Sequence, residues 1–241
     1  MIIQIIATLC AFFIKGLTGF ANTLVFSSIL GFTTNNIKIS PIELILGYPS
    51  NIILSWKERN YLTWKIWFPL SIMVIAGSIP GVFILKNGDP TLLKIFFGIV
   101  VVGIGFEMLL RERAVNPKKS SKPILFIIGI LSGLLCGLYG VGALLAAYVN
   151  HITNTNKAFK ANICVVFLIE NTFRLILYSL SGIITFSILK QIIILIPFML
   201  IGLYLGIKSS STFNEKIVKL IIIVMLIVTG IIMIINNLML I

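Results

Sequence analysis

Two short glycine motifs are the places where this chain could bind a small ligand. The motif GLTG at 16–19 recurs as GLYG at 137–140, about half a chain length later. Glycine permits a sharp reversal of the chain and a close approach of ligand or backbone. If a helix begins directly after each motif, its unpaired N–H groups and positive dipole end form a site for a small anion. The alternative is close packing of helices through small residues.

Three charged residues lie inside long apolar stretches, where a charge is costly unless it is paired or functional. Lys15 directly precedes the first motif, and it could attract an anion, bond to carbonyls or extend towards the membrane surface. Glu170 and Arg174 are four residues apart, so they share one face of a helix and can neutralise each other. If they do not pair, Arg174 becomes a ligand for an anion. Glu43 is expected at the entrance of an apolar run, in a solvated position.

Polar side chains also occur at matching depths in two apolar runs. Ser50-Asn51 lies in the second run and Asn171-Thr172 in the sixth, which predicts either a polar cavity or hydrogen bonds between helices. Together with the motifs, these positions define the candidate anion-binding residues: Lys15, Gly16, Thr18, Gly19, Asn22, Asn51, Gly137, Tyr139, Gly140, Asn171 and Arg174.

The composition indicates that helices in a membrane must hold these residues. Of 241 residues, 59% are hydrophobic and only 11% are charged, and the mean hydropathy is +1.12. A soluble protein this apolar could not cover its surface, and a disordered chain would be far more polar. The net charge of +12 lies mostly in short connections, as in cytoplasmic loops that meet anionic lipids, so no nucleic acid is needed as a partner.

The apolar runs predict an all-α polytopic membrane protein built from two four-segment repeats. Each repeat begins with a long segment, broken or re-entrant at its glycine motif, and Gly77-x-x-x-Gly81 recurs later as Gly202-x-x-x-Gly206. The predicted units are a first repeat at 1–110, a basic connector at 111–122 and a second repeat at 123–241.

Loop charges favour an inverted arrangement of the two repeats. If all eight segments cross the membrane, nine basic residues lie on one side and eight on the other, which is no bias. If 1–32 and 123–150 are hairpins, the distribution is thirteen against four. The hairpins therefore predict a cytoplasmic connector, two termini outside the cytoplasm and a second repeat that is upside down relative to the first. Eight simple crossings are the alternative.

Four segments resemble a known family. The segments GLTGFANTLVFSSIL and GILSGLLCGLYGVGALLAAYV are similar to the duplicated glycine motif of the TauE/SafE family of sulfite and organosulfonate permeases. FMLIGLYLGIKSSS resembles that family's seventh segment, and FLIENTFR resembles its sixth. The first break here reads Gly-Phe-Ala-Asn at 19–22, where the family often has a run of glycines. The resemblance implies a multi-pass permease of the cell membrane that moves small sulfur-containing anions without an ATPase domain.

Other classes of function are less well supported. No phosphate-binding GxxxxGK[ST] motif occurs, so a gradient must drive transport. One histidine and three unpaired cysteines offer no metal cluster and no nucleophile–base pair, so neither an enzyme nor a cofactor is predicted. An anion channel would use the same helix ends, and a structural membrane subunit would show no flux. The expected partners are a small anion and the lipid bilayer.

Overall fold

The computed structural model describes residues 1–31, 36–113, 122–153, 155–210 and 215–238. Within these ranges the secondary structure is helical, without β-strands. The α-helices are α1 (Ile2–Thr18), α2 (Asn22–Leu30), α3 (Asn36–Lys57), α4 (Trp64–Asn87), α5 (Pro90–Arg113), α6 (Lys122–Tyr139), α7 (Ala143–Ile152), α8 (Asn156–Leu180), α9 (Phe186–Ser209) and α10 (Glu215–Leu238). Most of the predicted connector, 114–121, lies outside the described residues.

Several helices have the length and composition needed to cross a membrane. Among the described residues, α4, α8 and α9 meet both criteria. Their outer faces carry large apolar side chains such as Phe83, Leu180 and Ile193, which are 71%, 81% and 68% exposed. A water-facing helix would not expose side chains of this kind so consistently, whereas a lipid-facing helix does. This confirms the predicted all-α membrane protein.

Both glycine motifs end a helix in the same way. Gly19 follows α1 with a φ of 89°, and Gly140 follows α6 with a φ of 74°, both in the left-handed region that favours glycine. Each glycine donates its N–H to the carbonyl four residues earlier, at 2.7 Å for Gly19 and 2.8 Å for Gly140. The short helices α2 and α7 then begin within three residues. At nine and ten residues, neither is long enough to cross a bilayer alone.

Glycine faces bring helices of the two halves of the chain together. On α1, a Cβ atom at Gly16 would lie 2.7 Å from the Leu203 carbonyl oxygen of α9. On α6, a Cβ atom at Gly137 would collide with the Ser78 carbonyl oxygen of α4. The predicted glycine pairs of α4 and α9 are therefore packing faces. These contacts, with the packing of α3 on α8, bring the two breaks to one interior region.

Candidate functional site

A polar cavity lies where the two breaks meet α3 and α8. It is small, with about 20 Å³ in which the centre of a water molecule fits, and part of it is open to solvent. Its lining comes from α1, α2, α3 and α8 and from the residues that follow α6: Lys15, Phe20, Ala21, Asn22, Thr23, Leu24, Glu43, Asn51, Gly140, Gly142, Phe167, Glu170, Asn171 and Arg174. Four of these residues carry formal charges, so the cavity is a polar site inside an apolar protein.

Arg174 lies at the centre of the charged cluster and is 1% exposed. Its Nη1 donates to the carbonyl oxygen of Cys136 near the end of α6. Its Nη2 donates to Asn171 Oδ1 at 3.0 Å, while its Nε lies 3.4 Å from Glu170 Oε1. The guanidinium thus links α8 to the break after α6. The pair with Glu170 is the one that the four-residue spacing predicts.

Glu43 faces the same guanidinium from α3. Its Oε2 lies 3.8 Å from Arg174 Nη2. Its Oε1 accepts hydrogen bonds from Asn22 Nδ2 at 2.5 Å and from Thr23 Oγ1 at 2.6 Å. Glu43 is only 4% exposed, so the expected solvated position at a span entrance is wrong. The reason is that α3 begins at Asn36, well before the apolar run that the sequence suggests.

Several polar atoms around the cavity are buried without a hydrogen-bond partner. They include the acceptors Glu43 Oε2, Asn51 Oδ1 and Glu170 Oε1, and the donor Arg174 Nε. Buried polar groups are nearly always hydrogen-bonded, to protein, water or ligand. Glu170 Oε1 and Arg174 Nε face each other in the 3.4 Å ion pair, so Asn51 Oδ1 is the clearest sign that the cavity takes up water or a polar ligand.

Two helix N-termini also open onto the cavity. Residues 21–24, which form the N-cap and first turn of α2, line it, as does Gly142, the N-cap of α7. Neither N-cap residue provides a side-chain hydrogen bond to its helix. The first N–H groups of a helix have no acceptor within the helix, and they attract anions together with the dipole.

The cavity brings together six of the sequence-predicted residues. Those that line it are Lys15, Asn22, Asn51, Gly140, Asn171 and Arg174. Lys15 is 1% exposed, although it is a lysine. The cavity is thus lined by a second buried basic group besides Arg174.

The other predicted residues have different surroundings. Gly16 and Gly137 pack against α9 and α4, as described above. Thr18 Oγ1 donates to the Ile14 carbonyl at 2.9 Å, and the Tyr139 hydroxyl donates to the Leu93 carbonyl at 2.8 Å. Gly19 faces the side chain of Lys160, whose Nζ donates to the carbonyl of Leu17 at 2.8 Å. These five residues shape the breaks but do not line the cavity.

Two lining residues lacked a recognisable sequence signal. Glu43 is far from both motifs in the chain, and only the packing of α3 on α8 brings it to Arg174. Phe167 lies one helical turn before Glu170 on α8, and its ring closes the cavity beside Gly142. An aromatic residue in an apolar run gives no sign of such a role. Among the described residues, no group of His, Cys, Asp and Glu could hold a metal ion.

Comparison with known proteins gives a consistent result. The sequence matches the model of the family described as "Sulfite exporter TauE/SafE" over residues 4–233. It is 21% identical over 191 residues to a protein of Cupriavidus necator described as "Probable sulfite/organosulfonate exporter TauE". That alignment covers 75% of this chain and 74% of that protein. No solved structure matches the chain at a significant level.

Proposed function

Since this chain belongs to the TauE/SafE sulfite exporter family, whose members are membrane transporters and not enzymes, we propose that it carries sulfite or an organosulfonate across the cell membrane. The proposed binding site is the cavity at the two helix breaks. The observation that carries the proposal is the convergence of two uncapped helix N-termini with two buried basic residues, Lys15 and Arg174, on one cavity.

This combination suits a small oxyanion. Sulfite and sulfonates present several oxygens around one sulfur, and N–H groups at a helix N-terminus can bond to these oxygens as they do to phosphate or sulfate. Lys15 and Arg174 supply positive charge at a depth where it is costly to maintain. Asn51 and Asn171 line the same cavity and have amide N–H groups that could complete the hydrogen bonding.

The proposed architecture is a pair of inverted repeats, 1–110 and 123–241, joined by a cytoplasmic connector. Several features support it: the two breaks share a left-handed glycine, and α1 packs on α9 much as α6 packs on α4. The thirteen-to-four distribution of basic residues between the two membrane faces supports a cytoplasmic connector, with both termini outside the cytoplasm. Inverted repeats with broken helices at the midplane are a recurring plan of secondary transporters, in which one bundle rocks against the other.

An ion gradient can drive such a transporter without ATP. If the anion crosses alone, an inside-negative potential favours its exit by about 2.3 kcal/mol per charge and per 100 mV. A carrier of this kind shows saturable flux, whereas an anion channel built from the same helix ends would show unitary conductance.

The test is a flux measurement with purified protein in liposomes. We expect saturable uptake of radiolabelled sulfite or a simple sulfonate, absent from protein-free liposomes. Lys15→Gln removes one buried positive charge, and a charge-assisted contact of about 1.5–3 kcal/mol corresponds to about a tenfold to hundredfold weaker affinity. Lys57→Gln removes an exposed charge at the end of α3 and serves as the matched control. No flux of either anion above the protein-free background would contradict the proposal.

A further inference from the structure

The charges around the cavity cancel when every group is ionised. Lys15 and Arg174 contribute two positive charges, while Glu43 and Glu170 contribute two negative charges. All four side chains are 4% exposed or less. An anion that enters this neutral cluster leaves a net negative charge in a buried place, which is strongly unfavourable unless another charge changes.

The two carboxylates have different surroundings. Glu43 Oε1 accepts hydrogen bonds from Asn22 and Thr23, which stabilise its ionised form. Glu170 is 1% exposed, and its Oε1 has no hydrogen-bond donor. Within the part of the chain that the structure describes, its one polar contact is the 3.4 Å ion pair with Arg174. When paired carboxyl groups differ in this way, the less solvated and less bonded one holds the proton.

We propose that Glu170 takes up a proton when the anion binds, so that one proton crosses the membrane with each anion. This inference rests on the proposed transport function and identifies its coupling ion. With Glu170 neutral, the cluster has one net positive charge, which a monovalent sulfonate neutralises. Arg174 is then released from one of its two carboxylates and can turn its Nε, which has no hydrogen-bond partner, to the anion.

The surroundings of Glu170 favour a proton over a metal cation. The charged and titratable groups that face it are Arg174 and Tyr178 on α8, Glu43 on α3 and Cys136 on α6, with Lys15 on α1 across the cavity. A metal ion held by both carboxylates would lie against the guanidinium, which contacts Glu43 at 3.8 Å and Glu170 at 3.4 Å. A proton on Glu170 avoids this repulsion.

The coupling has two measurable consequences. Binding of a monovalent anion should weaken by about tenfold for each unit of pH increase wherever Glu170 is ionised in the empty protein. Net transport of a monovalent sulfonate should also be electroneutral and should carry protons in the same direction as the anion.

Methanesulfonate is the suitable probe because its own charge does not change near neutral pH. Purified protein in liposomes that contain a pH-sensitive dye should acidify the lumen when methanesulfonate is added outside. A clamped membrane potential should not alter the rate. Sulfite flux measured in parallel establishes whether the protein transports at all.

Variants separate the coupling from transport itself. Glu170→Gln imitates the protonated side chain permanently, so exchange of internal for external anion should persist and become independent of pH. Net flux should fall at least tenfold, because the empty site would have to reorient with an uncompensated positive charge. Glu58→Gln, on the loop after α3, is the matched carboxylate control.

Each outcome decides one of the two proposals. Saturable flux without acidification of the lumen, or Glu170→Gln exchange with the pH dependence of the wild type, would overturn the proton coupling and leave transport intact. If only sulfite is transported, the pH dependence of sulfite exchange is compared between Glu170→Gln and the wild type. Sulfite itself titrates in the same way in both measurements, so an equal pH dependence would overturn the proton coupling. Absence of flux for both anions would overturn the transport function and the coupling with it.

Discussion

Arg174 of α8 and Glu43 of α3 face each other at 3.8 Å between Nη2 and Oε2, although 130 residues separate them in the chain. The same guanidinium pairs with Glu170, one turn earlier on its own helix. One buried cation therefore contacts two buried carboxylates, Glu43 on α3 and Glu170 on α8.

Arg174→Gln should be strongly destabilising. The substitution leaves Glu43 and Glu170 buried without their guanidinium, and breaking a buried ion pair from one side costs about 3–5 kcal/mol. We expect poor membrane expression and a clearly lower midpoint of thermal unfolding in detergent. The double variant Arg174→Gln, Glu170→Gln should recover part of the loss because it removes one stranded carboxylate. Arg59→Gln, on the exposed turn after α3, is the control. Strictly additive effects of Arg174→Gln and Glu170→Gln in the double variant would show that the two residues do not interact.

Gly140→Ala should abolish transport through its effect on the cavity. A methyl group there would lie 2.7 Å from Glu43 Oε2 and 3.0 Å from Arg174 Nη1. Gly182→Ala is a matched control, since Gly182 has a similar φ of 70° but nothing within 4 Å of its Cβ position. Both variants bear a backbone strain of about 1–3 kcal/mol, so both should lose similar stability. Flux at equal expression should fail only in Gly140→Ala, and equal flux in the two variants would exclude a role for this glycine at the site.

Gly16→Val should disrupt the contact between α1 and α9. The Cβ atom at this position would already lie 2.7 Å from the backbone of Ile207 and Leu203, which cannot move aside as a side chain can. Overpacking costs about 1–3 kcal/mol or more. Gly103→Val provides the comparison, because Gly103 of α5 has nothing within 4 Å. Monodispersity on size-exclusion chromatography should be lost only for Gly16→Val. A monodisperse, fully active Gly16→Val protein would mean that α1 and α9 do not pack this closely.

The proposed orientation can be tested by labelling in intact cells. A cysteine introduced at Lys118 of the connector should be protected from a membrane-impermeant reagent, and a C-terminal tag should be accessible to antibody. This outcome is expected because basic residues concentrate in cytoplasmic loops, and thirteen of them lie on the face of the connector against four on the other face. Permeabilised cells provide the control for labelling at position 118. A tag that is reached only after permeabilisation would contradict the inverted repeats.

Local features of the site were predictable from the sequence, but its full membership was not. The break at Gly140 follows from a duplicated motif, and the pairing of Glu170 with Arg174 follows from helical spacing. Both depend on residues close in the chain. Glu43 reaches the same cavity only through the packing of α3 on α8, and no periodicity encodes that contact.

Tyr139 was predicted to bind the anion, but it does not line the cavity. It directly precedes Gly140, so proximity in the sequence suggested a place at the site. Successive residues of a helix point about 100° apart, however, and the left-handed turn at Gly140 comes only after Tyr139. Its ring therefore packs on Phe97 of α5, with the centroids 4.6 Å apart, on a side of α6 away from the cavity.

The close contact of α1 with α9 also governs how the protein is made. Ribosomes synthesise α1 (Ile2–Thr18) well before its partner α9 (Phe186–Ser209). During that interval Gly16 lacks the helix against which it fits. Lys15 lacks the cavity that accommodates its charge until α8 has been made. Helix α1 thus completes its native contacts only after α9 has been made. Truncation before α9 would leave the glycine face of α1 without the helix against which it packs.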